Sequence, residues 1–145
     1  MRAIAQIKLG VGYLNLGKLA DAAQTFADVC HQSTRRGRYE IAATAARQKV
    51  YTARRQGNLH NAVTICRNAL TEIAEPVETA GHPLSAAGVL YVSLGQILLE
   101  QGLQEEADRL LTRGLDRIGT VGRLESRVEG CVALARLKQI EGDVA

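Results

Sequence analysis

Three histidines and three cysteines are the side chains of this 145-residue chain best suited to chemistry, so their spacing is the first test for catalysis. A nucleophilic site needs a nucleophile and a base within hydrogen-bond reach, and a third group to orient the base. His31, His60 and His82 all fall near predicted turns, with no Ser, Cys or carboxylate at a spacing that supplies such a partner. Cys30, Cys66 and Cys131 are odd in number and far apart, and none belongs to a C-x-x-C pair of redox or zinc type. Each lies on the apolar stripe of a helical pattern, so all three are expected to be small core residues in a reducing cytoplasm. Glu105 and Glu106 open a predicted helix, where carboxylates complement the dipole. No G-x-x-x-x-G-K-[S/T] loop is present to cradle phosphates. The expectation is a non-enzyme with no catalytic residues, no metal and no cofactor, its histidines serving at the surface or in turns.

Charge narrows the partners. Residues 1 to 72 hold 11 Lys/Arg against 4 Asp/Glu, while residues 73 to 145 hold 7 against 11, so balances of +7 and −4 make up the net +3. A basic half invites nucleic acid, but these charges are spread over several helices, with no basic run followed by aromatics. A solvated surface, without direct nucleic-acid contact, is the better expectation. No apolar run approaches the ~20 residues of a membrane span, and no secretory leader is expected.

The elements that position these side chains follow from composition. Apolar residues make up 46% of the chain and aromatics 3%, with Phe26 the single Phe and no Trp. Abundant Ala and Leu suit close helix-on-helix packing, and strand formers are scarce, which predicts an all-α protein.

A repeat then sets the architecture. Gly17, Gly57, Gly102 and Gly142 end helix-like segments at spacings of 40, 45 and 40 residues. Around the first lie Gln6-x-x-Leu9-Gly10-x-x-Tyr13, then Gly17, then Ala22-x-x-x-Phe26. Around the third lie Tyr91-x-x-Leu94-Gly95-x-x-Leu98, then Gly102, then Ala107-x-x-x-Leu111. The second unit is weaker, although Gly57 and Ala62-x-x-x-Cys66 keep their places, and the last gives Cys131-x-x-Leu134-Ala135-x-x-Lys138 before Gly142. This is the tetratricopeptide pattern, and each residue type has a mechanical reason. Gly10, Gly95 and Ala135 are small where a paired helix crosses, as are Ala22, Ala62 and Ala107 on that helix. Gly17, Gly57 and Gly102 adopt the left-handed conformation that reverses the chain. Leu19, Leu59 and Leu103 follow as first core anchors of the returning helix.

Seven antiparallel helices are predicted, over about 2–16, 19–35, 38–56, 59–75, 84–101, 104–119 and 123–141, forming three and a half repeats of an α-α superhelix. Pro76 and Pro83 mark one long connection near 75–84. A period of 40 exceeds the usual ~34, so the helices run about a turn longer than in the standard motif.

Three strings carry a finer resemblance: LGQILLEQGLQEEA over 94–107, RGL at 113–115 and ALARLKQIEGD over 133–143. They resemble the helical repeat region of large bacterial LuxR-type transcriptional activators, the MalT-like group, and the likeness extends over essentially the whole chain. The resemblance implies a single repeat domain, residues 1–145, excised from a longer cytoplasmic regulator with an N-terminal nucleotide-binding module and a C-terminal helix-turn-helix. It also implies a superhelix that receives an inducer or partner protein. The alternative is a tetratricopeptide adaptor that docks peptides or proteins outside any such regulator.

In such arrays the first helix of each pair lines the concave side. Register places Ile4, Ile7, Val11 and Leu14 there, then Arg47, Tyr51, Arg54 and Arg55, then Val89, Val92, Gln96, Leu99 and Glu100, then Glu129, Val132, Arg136 and Gln139. The candidate ligand or partner residues are Arg47, Tyr51, Arg54, Arg55, Gln96, Glu100 and Arg136. They predict an apolar trough crossed by a basic ridge, suited to an amphipathic helix or a small-molecule inducer with an anionic end. A carboxylate clamp of the co-chaperone type is excluded by Ile7 and Val11, and sugar stacking finds too few aromatics in Tyr39 and Tyr51. The first helix is apolar almost all round, so self-association through the ends of the array is expected.

Overall fold

The computed structural model of the chain describes residues 2–76, 85–119 and 124–144. Seven helices account for them: α1 (Arg2–Asn15), α2 (Leu19–Arg35), α3 (Tyr39–Arg55), α4 (Leu59–Ala69), α5 (Ser85–Glu100), α6 (Gln104–Ile118) and α7 (Leu124–Val144). No strand occurs among the described residues. The predicted boundaries lie within a few residues of these, and Pro83 and most of the long connection fall outside the described residues. α4 runs on through a π-helical turn, Leu70–Ala74, in which the Glu75 N–H returns to Leu70 O. That wider turn immediately precedes Pro76, whose ring excludes an ordinary return bond.

The glycine corners are equivalent, and there is one more than the 40-residue step suggests. Gly17 N–H bonds Leu14 O at 3.0 Å and Lys18 N–H bonds Tyr13 O at 2.8 Å. The same two bonds recur after Gly57, from Gly57 to Arg54 and from Asn58 to Ala53, and after Gly102, from Gly102 to Leu99 and from Leu103 to Leu98. They recur again at Gly37, to Thr34 and from Arg38 to Ser33. The four glycines share φ values of 74°, 76°, 81° and 71°, a region costly for a residue with a Cβ. Gly17, Gly37 and Gly57 lie 20 residues apart, so the outer and inner corners of this part of the array are built alike. Gly142 departs from the expectation: it lies inside α7 and has no positive φ, because the helix continues to Val144. Leu103 departs too, being 49% exposed and preceding the helix, so that Gln104 stands where Leu19 and Leu59 do.

Packing follows the small residues. The Phe26 ring is fully buried and fills the notch left by Gly10, where an added Cβ would stand 2.6 Å from Phe26 Cε1. Burying such a ring contributes about 2–3 kcal/mol. Gly95 makes the same room for Leu111, whose Cγ would lie 2.8 Å from an added Cβ. In the middle unit the sizes are exchanged: Val50 occupies the position of Gly10, and the smaller Cys66 that of Phe26, both within one buried cluster. That exchange of volume is why the second unit matches the motif poorly yet packs equivalently.

α3 lies at the centre, packed against α2, α4 and α5, and its Ala42, Ala43, Ala45 and Ala46 are all buried. α5 and α6 come backbone to backbone where Gly88 and Gly114 face each other: a Cβ on Gly88 would lie 2.7 Å from Gly114 O. Arg113 of α6 covers the Tyr91 ring of α5, its Cζ 4.7 Å from the centroid. Among the described residues α1 packs on α3, α3 on α5 and α5 on α7, whereas α2 and α4, and α4 and α6, stand further apart, the latter pair bridged by the long side chains of Arg67 and Glu106. The first helices therefore form the tighter layer, and the stack curves around them.

Candidate binding groove

The concave face presents three hollows in a row, joined by shared residues. Between α1 and α3 lies one of about 380 Å³, bordered by Ile4, Ile7, Lys8, Glu40, Ile41, Thr44 and Gln48. Gln48 also borders the next, about 300 Å³, with Arg47, Tyr51 and Glu129. Glu129 in turn borders the largest, about 480 Å³, which Arg54 of α3, Gln96, Leu99 and Glu100 of α5 and one face of α7 enclose. That face of α7 is a stripe at four-residue spacing, Val128, Val132, Arg136 and Ile140, with Gln139 beside it. The volume suits a ligand or a few side chains of a docked segment.

The charged groups here are spent on one another. Arg47 Nη2 donates to Glu129 Oε1 at 2.9 Å, linking α3 to α7, and Arg54 Nη2 pairs with Glu100 Oε1 of α5. Arg67 of α4 reaches Glu106 of α6 at 3.1 Å. The bipolar charge of the chain is thereby explained: these arginines of the basic half meet carboxylates of the acidic half across the stack. The predicted basic ridge is corrected accordingly to a ladder of ion pairs. Arg136, by contrast, has no carboxylate partner among the described residues.

Of the seven candidate residues, Arg54, Gln96, Glu100 and Arg136 border the largest hollow together, and Arg47 and Tyr51 border its neighbour. Arg55 is drawn elsewhere: its Nη1 donates to Leu14 O at 3.0 Å, and its Cζ lies 6.0 Å from the Tyr51 centroid. A family described as MalT-like TPR region matches residues 1–145. The chain belongs to that family. No curated protein matches it.

Within this MalT-like TPR region several sequence expectations need correction. Leu14 and Val92 do not face the groove; Leu14 is buried beside Ala22 and Phe26, and Val92 beside Leu111, Ile118 and Ala133. Both share a helical face with groove residues, Leu14 with Ile7 and Val92 with Leu99, and are buried because the partner helix covers Leu14 and α6 and α7 cover Val92, which register alone does not resolve. Cys30 and Cys66 are core residues, and burial pushes the Cys66 thiol up to about 12. Burial raises the Cys30 thiol as well. Cys131 is exposed, as is Ala135, because α7 is packed on one side only among the described residues. His31 and His60 are exposed, and His82 lies outside the described residues. No group of three or more His, Cys, Asp or Glu is placed to hold a metal among the described residues. No helix there is long and apolar enough to cross a membrane.

Sequence reasoning missed Val128 and Ile140 in the groove and Gly37 as a corner. Each had a signal. Val128 and Ile140 continue the four-residue spacing through Val132 and Arg136, and Gly37 bisects Gly17 and Gly57.

Proposed function

We propose that the chain is the sensor and interaction region of a LuxR-type, MalT-like transcriptional regulator, receiving an inducer or a partner protein in its concave groove. A tetratricopeptide-type repeat is an interaction fold, and it offers a curved surface in place of a reaction centre. One observation carries the proposal. Val128 and Val132 remain 51% and 52% exposed inside the groove, beside Leu99 and the unpaired Arg136. Aliphatic side chains in a hollow rimmed by charge are what an amphipathic helix, or a ligand with an apolar body and an anionic end, would cover. The paired Arg47 and Arg54 give such an occupant charge-assisted partners, once their carboxylates are displaced or shared. Contact with DNA would belong to another part of the polypeptide.

The experiment is a Val132→Asp/Arg136→Ala variant of the full-length protein, assayed for response of its regulated promoter, with folding checked by circular dichroism. Loss of the response with helicity intact supports the proposal. An unchanged response sinks the groove as the receiving surface, and a parent polypeptide without nucleotide-binding and helix-turn-helix modules leaves only the adaptor alternative.

A further inference from the structure

Arg47 and Arg54 of the groove meet carboxylates, whereas a second group of arginines does not. Arg2 on the first turn of α1, and Arg36 and Arg38 on either side of the Gly37 corner, border one small crevice with Gln6, Gln32 and Ser33. None of these arginines makes an ion pair among the described residues, and no Asp or Glu borders the crevice.

Cations near a helix C-terminus complement its dipole, and Arg35 in the last turn of α2 does so. Arg36 and Arg38 lie beyond the helix, and the last carbonyls are already taken: Gln32 O by Arg36 N–H, Ser33 O by Arg38 N–H and Thr34 O by Gly37 N–H. The three equivalent corners are built from Leu16 and Lys18, Gln56 and Asn58, and Gln101 and Leu103. The backbone geometry therefore requires no arginine on either side. Gathering Arg2 with them sets three like charges against one another, which is unfavourable until an anion neutralises them.

We propose that this crevice binds a phosphate group, as free phosphate or as the monoester of a small molecule. Guanidinium groups present planar forks that match oxyanions, and Gln6 and Gln32 can add amide N–H donors. A carboxylate brings one charge and two coplanar oxygens. A phosphate monoester brings about −1.5 to −2 and three oxygens arranged to accept from several directions at once. The crevice, about 30 Å³, has room for roughly two water-sized spheres, which is the scale of one small oxyanion.

The test is titration of the chain with inorganic phosphate and with glycerol phosphate at low ionic strength, followed by backbone amide shifts and calorimetry. An Arg36→Ala/Arg38→Ala variant is compared with Arg67→Ala, whose arginine lies on α4 away from the crevice. Both corner side chains are exposed, so the fold should persist, and circular dichroism checks it. Saturable shifts confined to the Gly37 corner and the start of α1 are expected. Binding should weaken about tenfold or more in the double variant and be unchanged in Arg67→Ala. Preference for glycerol phosphate assigns the site to a monoester, preference for inorganic phosphate assigns it to the free anion, and either supports the proposal. Absence of saturable shifts, or equal binding by the double variant, overturns it. So does binding of a DNA duplex lost in the same variant with no response to either phosphate probe, which would reassign the arginines to a polynucleotide backbone.

Discussion

Arg47 and Glu129, 82 positions apart in the chain, meet at 2.9 Å and tie α3 directly to α7 across the concave face. Their side chains are 19% and 34% exposed, so the pair sits at the edge of solvent yet spans the mouth of the groove. It separates the hollow around Tyr51 from the larger one around Val132.

Because the pair is partly screened, its worth should be modest and salt-dependent. A double-mutant cycle with Arg47→Ala and Glu129→Ala, read by urea unfolding, is expected to give a coupling of about 0.5–1 kcal/mol that shrinks in high salt. Strict additivity of the two substitutions would show that the strut holds nothing.

Three glycines inside helices should respond to alanine in three different ways. At Gly88 the added Cβ would meet backbone, Gly114 O at 2.7 Å and Ile118 N at 2.9 Å, which cannot move aside. Gly88→Ala is expected to cost about 3 kcal/mol. At Gly10 the obstacle is the Phe26 ring, which can shift, so about 1 kcal/mol is expected. Gly12 has nothing within 4 Å, and Gly12→Ala should stabilise by about 0.5–1 kcal/mol through helix propensity. Denaturation midpoints in any other order would contradict this packing.

Corner and helix glycines should separate equally clearly. Gly37→Ala forces a Cβ into φ +71° and should lower stability by about 1–2 kcal/mol. Gly142→Ala, within α7, should be neutral or slightly stabilising. Thermal melts of the two variants make the comparison.

The thiols give a pH signature. Only Cys131 among the three is exposed, so a thiol reagent should label one cysteine rapidly in the folded chain and all three after unfolding. Burial raises the Cys66 thiol from 9.0 to about 12, so between those values the unfolded chain releases a proton that the folded chain keeps. Its contribution is fully present below pH 9 and is lost as pH rises towards 12. Unfolding free energy measured from pH 8 upward should fall more steeply than in a Cys66→Ala variant.

α1 carries Ile4 and Leu9 at 50% and 52% exposure. Self-association through this helix is expected at high concentration, and an Ile4→Glu/Leu9→Glu variant should suppress it. Light scattering that finds the unmodified chain monomeric at millimolar concentration would remove the expectation.

The sequence by itself determined the all-α repeat, the corners at Gly17, Gly57 and Gly102 and the crossing residues Gly10, Gly95, Ala22, Ala62 and Ala107. These are local or short-range properties: a glycine at positive φ, a 3.6-residue stripe and a small residue opposite a large one can all be written within about forty positions. Phe26 against Gly10 was legible because the two lie one hairpin apart. Tertiary structure alone decided which groove arginines are spent, since Arg47 finds Glu129 only when α5 stacks between their helices. It decided that Leu14 and Val92 are covered while Val128 and Val132 stay open, because residues on one helical face are buried or not according to which neighbouring helix lies over them. It decided the fate of Cys131 and Ala135 as well: residues typed for a crossing are buried only where another helix arrives to cross them.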